Sequence, residues 1–245
     1  TLEAAPIVAT KLGVDNVTLT AKKLTNLMAI SNELLNNPSI SSERLLLNDI
    51  LHSAAYMENL TFIRGLSGVV GTPTGLLGHV PLGNKIVSSG KTLTNVESDI
   101  STMLGHLEDA DIPMDSAAWI MSPRSVRYLK TLRDLNGNHV YKRALNAAVP
   151  TIEGVRVYST NIIPNVLGIG ANESEMFLVD ASSLIIGTKG DMRVDMFRDA
   201  TWNDNGTIRS GVSEDTSTLR MITEHDFVPR YDGAEISYMS GVQYF

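Results

Sequence analysis

Cysteine is absent from the 245 residues, which excludes a disulfide framework, a thiolate metal site and a cysteine nucleophile. Aromatic residues are scarce at 6 %, so the apolar 43 % is carried mostly by aliphatic side chains and 10 Met. Charge is thin as well: 20 Lys+Arg stand against 27 Asp+Glu, for a formal charge of −7. An acidic total argues against bulk nucleic-acid binding, which depends on neutralising phosphates with Lys and Arg. No apolar run approaches the roughly 20 residues of a membrane span; Leu45–Leu47 and Leu184–Ile186 are typical. The opening Thr1-Leu2-Glu3-Ala4-Ala5-Pro6 has no initiator Met and neither the basic segment nor the apolar core of a signal peptide. A processed or shortened chain, soluble and intracellular, of α+β class, is the expectation.

Motifs of chemistry are missing too. No G-x-S-x-G elbow presents a serine, and His52, His79, His106, His139 and His225 never fall at H-x-x-x-H spacing. The glycine-rich stretch from Gly65 to Gly78 lacks the Gly-Lys-Ser/Thr of a phosphate cradle and reads as a turn-rich connector. Asp134-Leu135-Asn136-Gly137-Asn138 begins like a calcium loop, but its glycine arrives two positions early and position twelve is Leu145. Glu108, Asp109, Asp111 and Asp115 cluster between two elements and read as a solvated helix end. No enzyme, cofactor or metal is expected.

What is present is architecture. Val14–Thr20 reads as a strand, and residues 24–35 hold apolar positions with one element ending near Ser31 and another starting at Asn32. Ser41 or Ser42, with Glu43 behind it, opens a helix of about 22 residues whose stripe is Leu46, Ile50, Ala54, Met57 and Leu60, widened by Leu47 and Leu51. Gly65 is its first suitable C-cap. Thr94-Asn95-Val96-Glu97 forms a capping box for a helix carrying Ile100, Met103, Leu104 and Leu107. Ala117–Met121 is a buried strand, and Ser122-Pro123 starts a helix presenting Val126, Leu129 and Leu132 and ending near Asn136-Gly137-Asn138. Strands follow at Val155–Ser159, Met176–Val179 and Leu184–Ile186. Met192, Val194 and Met196 alternate, as do Leu219, Met221 and Thr223, as in a long hairpin. Between them residues 200–215 form a mostly polar loop holding an unpaired Trp202 and Arg209, long enough to need something else to order it. Residues 234–245 form a strand-like, aromatic-rich terminus. One charge feature stands out: Arg124, Arg127, Lys130, Arg133, Lys142 and Arg143 are opposed only by Asp134. A solvated helix face, an acidic protein partner and nucleic acid are the three readings.

In this order the elements resemble the tailed-phage major capsid proteins of the Hong Kong 97 fold. The resemblance rests on Val17–Leu24 with Ile30–Leu35, on Glu58–Gly65 followed by Gly71–Leu77, on Ala118–Pro123 through Leu132–Gly137, on Ile152–Val157, and on the region from Phe177-Leu178-Val179-Asp180. It implies a peripheral domain (24–99 and 188–230) with a spine helix at 41–63 and the long hairpin. It further implies a mixed α/β axial domain (100–187 and 231–245), and an extended-loop remnant at 1–23. Residues 200–215 would meet neighbouring capsomers. Subunit contacts would fall on Arg124, Arg127, Lys130, Arg133, Trp202, Arg209 and Glu224. The partners implied are copies of the chain in pentamers and hexamers, with scaffold and portal proteins beside them, and neither membrane nor sequence-specific nucleic acid. The place implied is the virion, assembled in the host cytoplasm. The chain starts too late to hold the family's N-terminal arm and the first strand of its extended loop. Some relatives form Lys–Asn isopeptide bonds assisted by Glu; Glu224 falls near the Glu position, but Ser217 stands near the Asn position, so no cross-link is expected. An encapsulin-like compartment shell shares the architecture and is the alternative; an enzyme of unidentified class, its site assembled from distant segments, is the other.

Overall fold

The computed structural model describes residues 16–36, 42–69, 71–204 and 206–244. In chain order the elements are β1 (Lys22–Ser31), α1 (Asn32–Leu35), α2 (Ser42–Arg64), α3 (Leu76–His79), β2 (Lys85–Val87), α4 (Leu93–Asp109), β3 (Ala117–Met121), α5 (Pro123–Leu129) and α6 (Lys142–Leu145). Then come β4 (Thr151–Ile152), β5 (Val155–Ser159), β6 (Ser174–Asp180), β7 (Leu184–Thr188), β8 (Arg193–Phe197), β9 (Thr201–Asp204), β10 (Thr207–Ser210), β11 (Thr216–Pro229) and β12 (Ile236–Val242). A six-stranded sheet runs β2-β12-β6-β3-β5-β4, and a four-stranded sheet gathers β1, β7 and β8 around β11.

The six-stranded sheet holds the main core. Its central strand β6, Ser-Glu-Met-Phe-Leu-Val-Asp, is buried at every position, as a strand covered on both faces must be. Met176 and Leu178 join Trp119, Met121 and Leu129 with the stripe Val96, Ile100, Met103 and Leu107 of α4. Phe177 and Val179 point the other way, into a second cluster with Leu76, Val80, Ile163 and Phe227. Ser122 caps α5 as expected, its hydroxyl accepting from the Ser125 amide at 3.2 Å ahead of Pro123. The cluster around β11 is much smaller: Ile50, Ala54 and Met221.

Several expectations need correction. Asn16–Thr20 form no strand; β1 begins at Lys22, because the Thr20 amide is taken by the Asp226 carboxylate (2.6 Å) and pairing with β11 starts at Lys22 opposite His225. Val14 and Asp15 lie outside the described residues. So do Ser41, Asn205 and Phe245, together with the side chains of Ser42, Glu43 and Leu46. The α2 stripe is narrower than expected: Ile50 and Ala54 are buried, whereas Leu51 and Met57 are exposed. α4 is capped by Thr92, whose hydroxyl accepts from the Asn95 amide, and Thr94 lies inside the first turn. α5 stops at Leu129, since Thr131 and Leu132 turn back onto the carbonyls of Tyr128 and Leu129. The loop 200–215 is largely a second hairpin, β9–β10, which branches off the long hairpin of β8 and β11.

The connector after α2 is a glycine corner. The Gly65 amide closes on the Thr61 carbonyl (2.7 Å), and the Gly75 amide on the Gly65 carbonyl (3.0 Å). A Cβ on Gly75 would meet the Thr61 oxygen at 2.3 Å, the Phe62 oxygen at 2.6 Å and the Gly65 nitrogen at 2.7 Å, all backbone. Gly75→Ala therefore destabilises the chain by about 1–3 kcal/mol, the cost of overpacking. Gly83→Ala, with nothing within 4 Å of the new methyl, leaves urea unfolding close to wild type.

Candidate functional site

α2 reaches the six-stranded sheet at its last residue. Arg64 Nε lies 2.7 Å from Glu175 Oε1, and the carboxylate is fully buried within β6. Tyr238 donates its hydroxyl to Glu175 Oε2 at 3.1 Å. Burial raises the Glu175 pKa above its ordinary value, and the charge of Arg64 and the Tyr238 hydroxyl pull it back only in part. Behind this pair Phe62 packs edge-on against His225 (4.9 Å) and beside Phe227 (5.6 Å), and His225 Nδ1 faces Glu58 Oε1 at 3.4 Å. Burial holds the neighbouring His79 below its ordinary pKa. Sequence reading missed the Arg64–Glu175 pair; a carboxylate inside the apolar run of β6 was its one visible signal.

The basic segment is only partly a helix face. Arg124 lies half-buried and donates to the Asn172 carbonyl at 2.7 Å, so it is a tie within the subunit. Arg127 is exposed on α5 and Lys130 half-buried just past it. Arg133 is exposed and donates to the Gly137 carbonyl at 2.7 Å. A bridge between Arg133 and His139 turns the chain back, leading to exposed Lys142 and Arg143 on α6. Asp134 does not answer these cations: it accepts from the Asn136 amide (2.9 Å) and the Asn138 amide (2.8 Å). Hydrogen bonds from Asn138, with the turn amides, hold its pKa below the usual carboxylate value. The calcium-like motif is thus an Asx turn.

Trp202 and Arg209, seven positions apart in the sequence, are direct cross-strand partners on β9–β10. Arg209 is engaged within its own hairpin, with Nε 2.9 Å from Asp204 and Nη1 3.1 Å from Glu214. Those bonds, the one to Glu214 first, raise its pKa. Arg209 is therefore a staple for a short ribbon that is marginal alone. The same hairpin leaves Ile208 77 % and the following turn Val212 70 % exposed, two residues the polar composition concealed. Glu224 lies on β11 opposite Lys23 and pairs with Lys189 at 3.2 Å. Ser217 donates to Asn32 Oδ1 at 2.6 Å, and Asn32 in turn donates to Asp215. The candidates thus fall in three places: the α5–α6 segment, the β9–β10 hairpin and the β1–β11 edge.

Among the described residues no three His, Asp or Glu side chains gather where a metal ion could sit, and no described helix is long and apolar enough to cross a membrane. An apolar groove of about 260 Å³ lies between α2, β1, β8 and β11, lined by Ile30, Leu47, Val194, Met196 and Leu219 among others. It has a few hydroxyls but no charged group to orient a substrate.

The sequence profile of the phage capsid family matches residues 1–236. The chain belongs to that family. A major capsid protein of Klebsiella oxytoca phage phiKO2 is 32 % identical over 217 residues, which cover 86 % of this chain. The chain spans about half the length of that relative (50 %). Among solved structures, the capsid of an empty GTA particle superposes with a TM-score of 0.69 at 16 % identity, covering 98 % of this chain and 81 % of the other. A Mycobacterium phage Bobi structure gives 0.67 at 14 % identity, covering 90 % and 72 %. The SrpI encapsulin complex of Synechococcus elongatus PCC 7942 gives 0.59 at 10 %, covering 91 % and 74 %. The capsid family member thus has the Hong Kong 97 fold that its element order resembles, and the family is one of structural proteins.

The Arg64–Glu175 pair generates a prediction. Arg64→Ala leaves a buried carboxylate without its counter-charge and lowers unfolding free energy by about 3 kcal/mol, the low end for a broken buried pair because the guanidinium keeps some solvent contact. The raised pKa means the fold holds the Glu175 proton more tightly than the unfolded chain does. Its contribution is therefore complete below the ordinary 4.5 and is lost as pH rises through the folded value. Glu175→Gln removes that slope, so wild type gains on this variant as the pH of a denaturation series falls from 7 toward 4.5.

Proposed function

We propose that this chain is the shell-forming part of a major capsid protein, self-assembling into the icosahedral head that encloses double-stranded phage DNA. The observation that carries the reading is the 32 % identity to a major capsid protein across 86 % of the chain; the encapsulin-like shell is the second reading, because that architecture also superposes, at a lower TM-score of 0.59. In this reading the protein acts by association and not catalysis, is carried in the virion and is assembled in the host cytoplasm. Scaffold and portal proteins belong to the same reading.

The four-stranded sheet with α2 takes the part of the peripheral domain, and the six-stranded sheet with α4 and α5 that of the axial domain. Because β2 and α4 belong to the six-stranded layer, we place the boundary near residue 85 instead of 99. The expected extended-loop segment, residues 1–23, falls mostly outside the described residues, and its last two belong to β1. The β9–β10 hairpin is the contact to neighbouring capsomers, with Trp202 and Arg209 on one face and Ile208 on the other; Glu224, paired with Lys189 on the β1–β11 sheet, marks a separate contact. Shells of many copies draw stability from many modest contacts, each strengthened by the others.

Electron microscopy of the full product of the gene tests this: closed icosahedral shells holding double-stranded DNA are expected, whereas shells around a bound enzyme select the encapsulin reading and lone globules reject both. Arg127→Glu with Arg133→Glu abolishes shells but leaves the far-ultraviolet circular dichroism of the subunit intact. Assembled particles run as one subunit band on a denaturing gel; a ladder of higher mass would show that Ser217 in place of Asn does not prevent cross-linking.

A further inference from the structure

Much of the basic segment is uncompensated among the described residues. Arg127, Lys130, Lys142 and Arg143 make no ion pair among the described residues. The chain carries a second uncompensated cluster of opposite sign. Glu108, Asp109, Asp111 and Asp115 are all exposed where α4 ends and the chain turns into β3, and none forms an ion pair with a Lys or Arg among the described residues. Asp109 acts on the imidazole of His106, but burial keeps that ring below its ordinary pKa.

Placement separates the two clusters. The acidic residues lead into β3 and α5 leaves it, so they lie at opposite ends of that strand, and α6 packs on β4 at the edge of the sheet. Two complementary patches on different flanks of one subunit cannot meet within it, but they can meet between copies. Contacts of that kind are heterologous, one surface of a copy on a different surface of the next, and they close into rings when the rotation permits.

We propose that the Arg127–Arg143 surface of one copy docks on the Glu108–Asp115 rim of the next, forming the charged part of a head-to-tail ring contact. The proposal rests on the shell reading above and names the partner surface within it. Complementary charge of this type steers encounter and fixes register more than it adds affinity, and it weakens with salt. It also excludes the symmetric mispairing of two basic or two acidic faces, because like charges repel.

Charge reversal in both halves tests the proposal on the full product of the gene. Arg127→Glu with Lys142→Glu, and separately Glu108→Lys with Asp115→Lys, each reduces the assembled fraction in sedimentation by about tenfold or more. The quadruple variant, with polarity inverted across the contact, recovers assembly to within about threefold of wild type. A quadruple variant no better than either double variant overturns the pairing. So does normal assembly of the acidic-rim variant, which would assign the basic surface to nucleic acid or to another acidic protein. A wild-type product that never assembles overturns the shell reading and this contact with it, whereas failure of rescue alone leaves the shell reading standing. As a measurement free of folding defects in the variants, the wild-type critical concentration rises severalfold between 50 and 500 mM NaCl; a salt-independent value overturns the proposal.

Discussion

The docking of α2 by its last turn is the constraint on which the rest of the subunit depends. Twenty-three residues of helix are held to the six-stranded layer by Arg64 on Glu175, by Phe62 against Phe227 and His225, and by the glycine corner that brings Gly75 back beneath Thr61. Burying Glu175 is costly, and only a guanidinium delivered at one place with a tyrosine hydroxyl opposite offsets it. A pair of this kind is a poor source of net stability and a strong source of position: the carboxylate tolerates no other placement of the helix end. Among the described side chains along the rest of α2, only Ile50 and Ala54 are buried against Met221, while Leu51, Tyr56 and Met57 are exposed.

An uneven distribution of packing follows. The six-stranded layer has the dense core of an ordinary domain, with Trp119, Phe177, Met103 and Leu129 removed from solvent. Among the described residues the four-stranded layer has a small core cluster of Ile50, Ala54 and Met221, an apolar groove, and a stapled hairpin carrying Ile208 outward. A monomer with such surfaces invites association. In the proposed shell that exposure becomes the means of assembly. The charged rims on α5–α6 and after α4 add direction to contacts that apolar surfaces alone would leave promiscuous.

Much of this was legible in the residues, for reasons that can be named. The β3–α5 unit was clear because Ala117–Met121 is a short continuous apolar run and Ser122-Pro123 is a strong helix start. α4 was clear because its buried positions, Val96, Ile100, Met103 and Leu107, recur at helical spacing. The length of α2 was legible, but its buried face was not, because a hydrophobic stripe does not distinguish burial inside the subunit from burial by a neighbour. Hidden altogether were features made by distant residues. Arg64 and Glu175 lie 111 positions apart in the sequence, and Arg209, expected at a subunit contact, is held within its own hairpin by Asp204 and Glu214. The β9–β10 hairpin hid inside a polar loop because ribbons this short depend on side-chain staples more than on apolar alternation.

The central claim is that α2 and the β8–β11 region are completed by other copies of the chain. Amide hydrogen exchange, compared between dilute subunit and assembled particle, tests it most directly. The account predicts little change in β3, β6 and α4, already buried within the subunit, and strongly slowed exchange in α2, β9 and β10 on assembly. Equal exchange of α2 and the hairpin in the two states would contradict it.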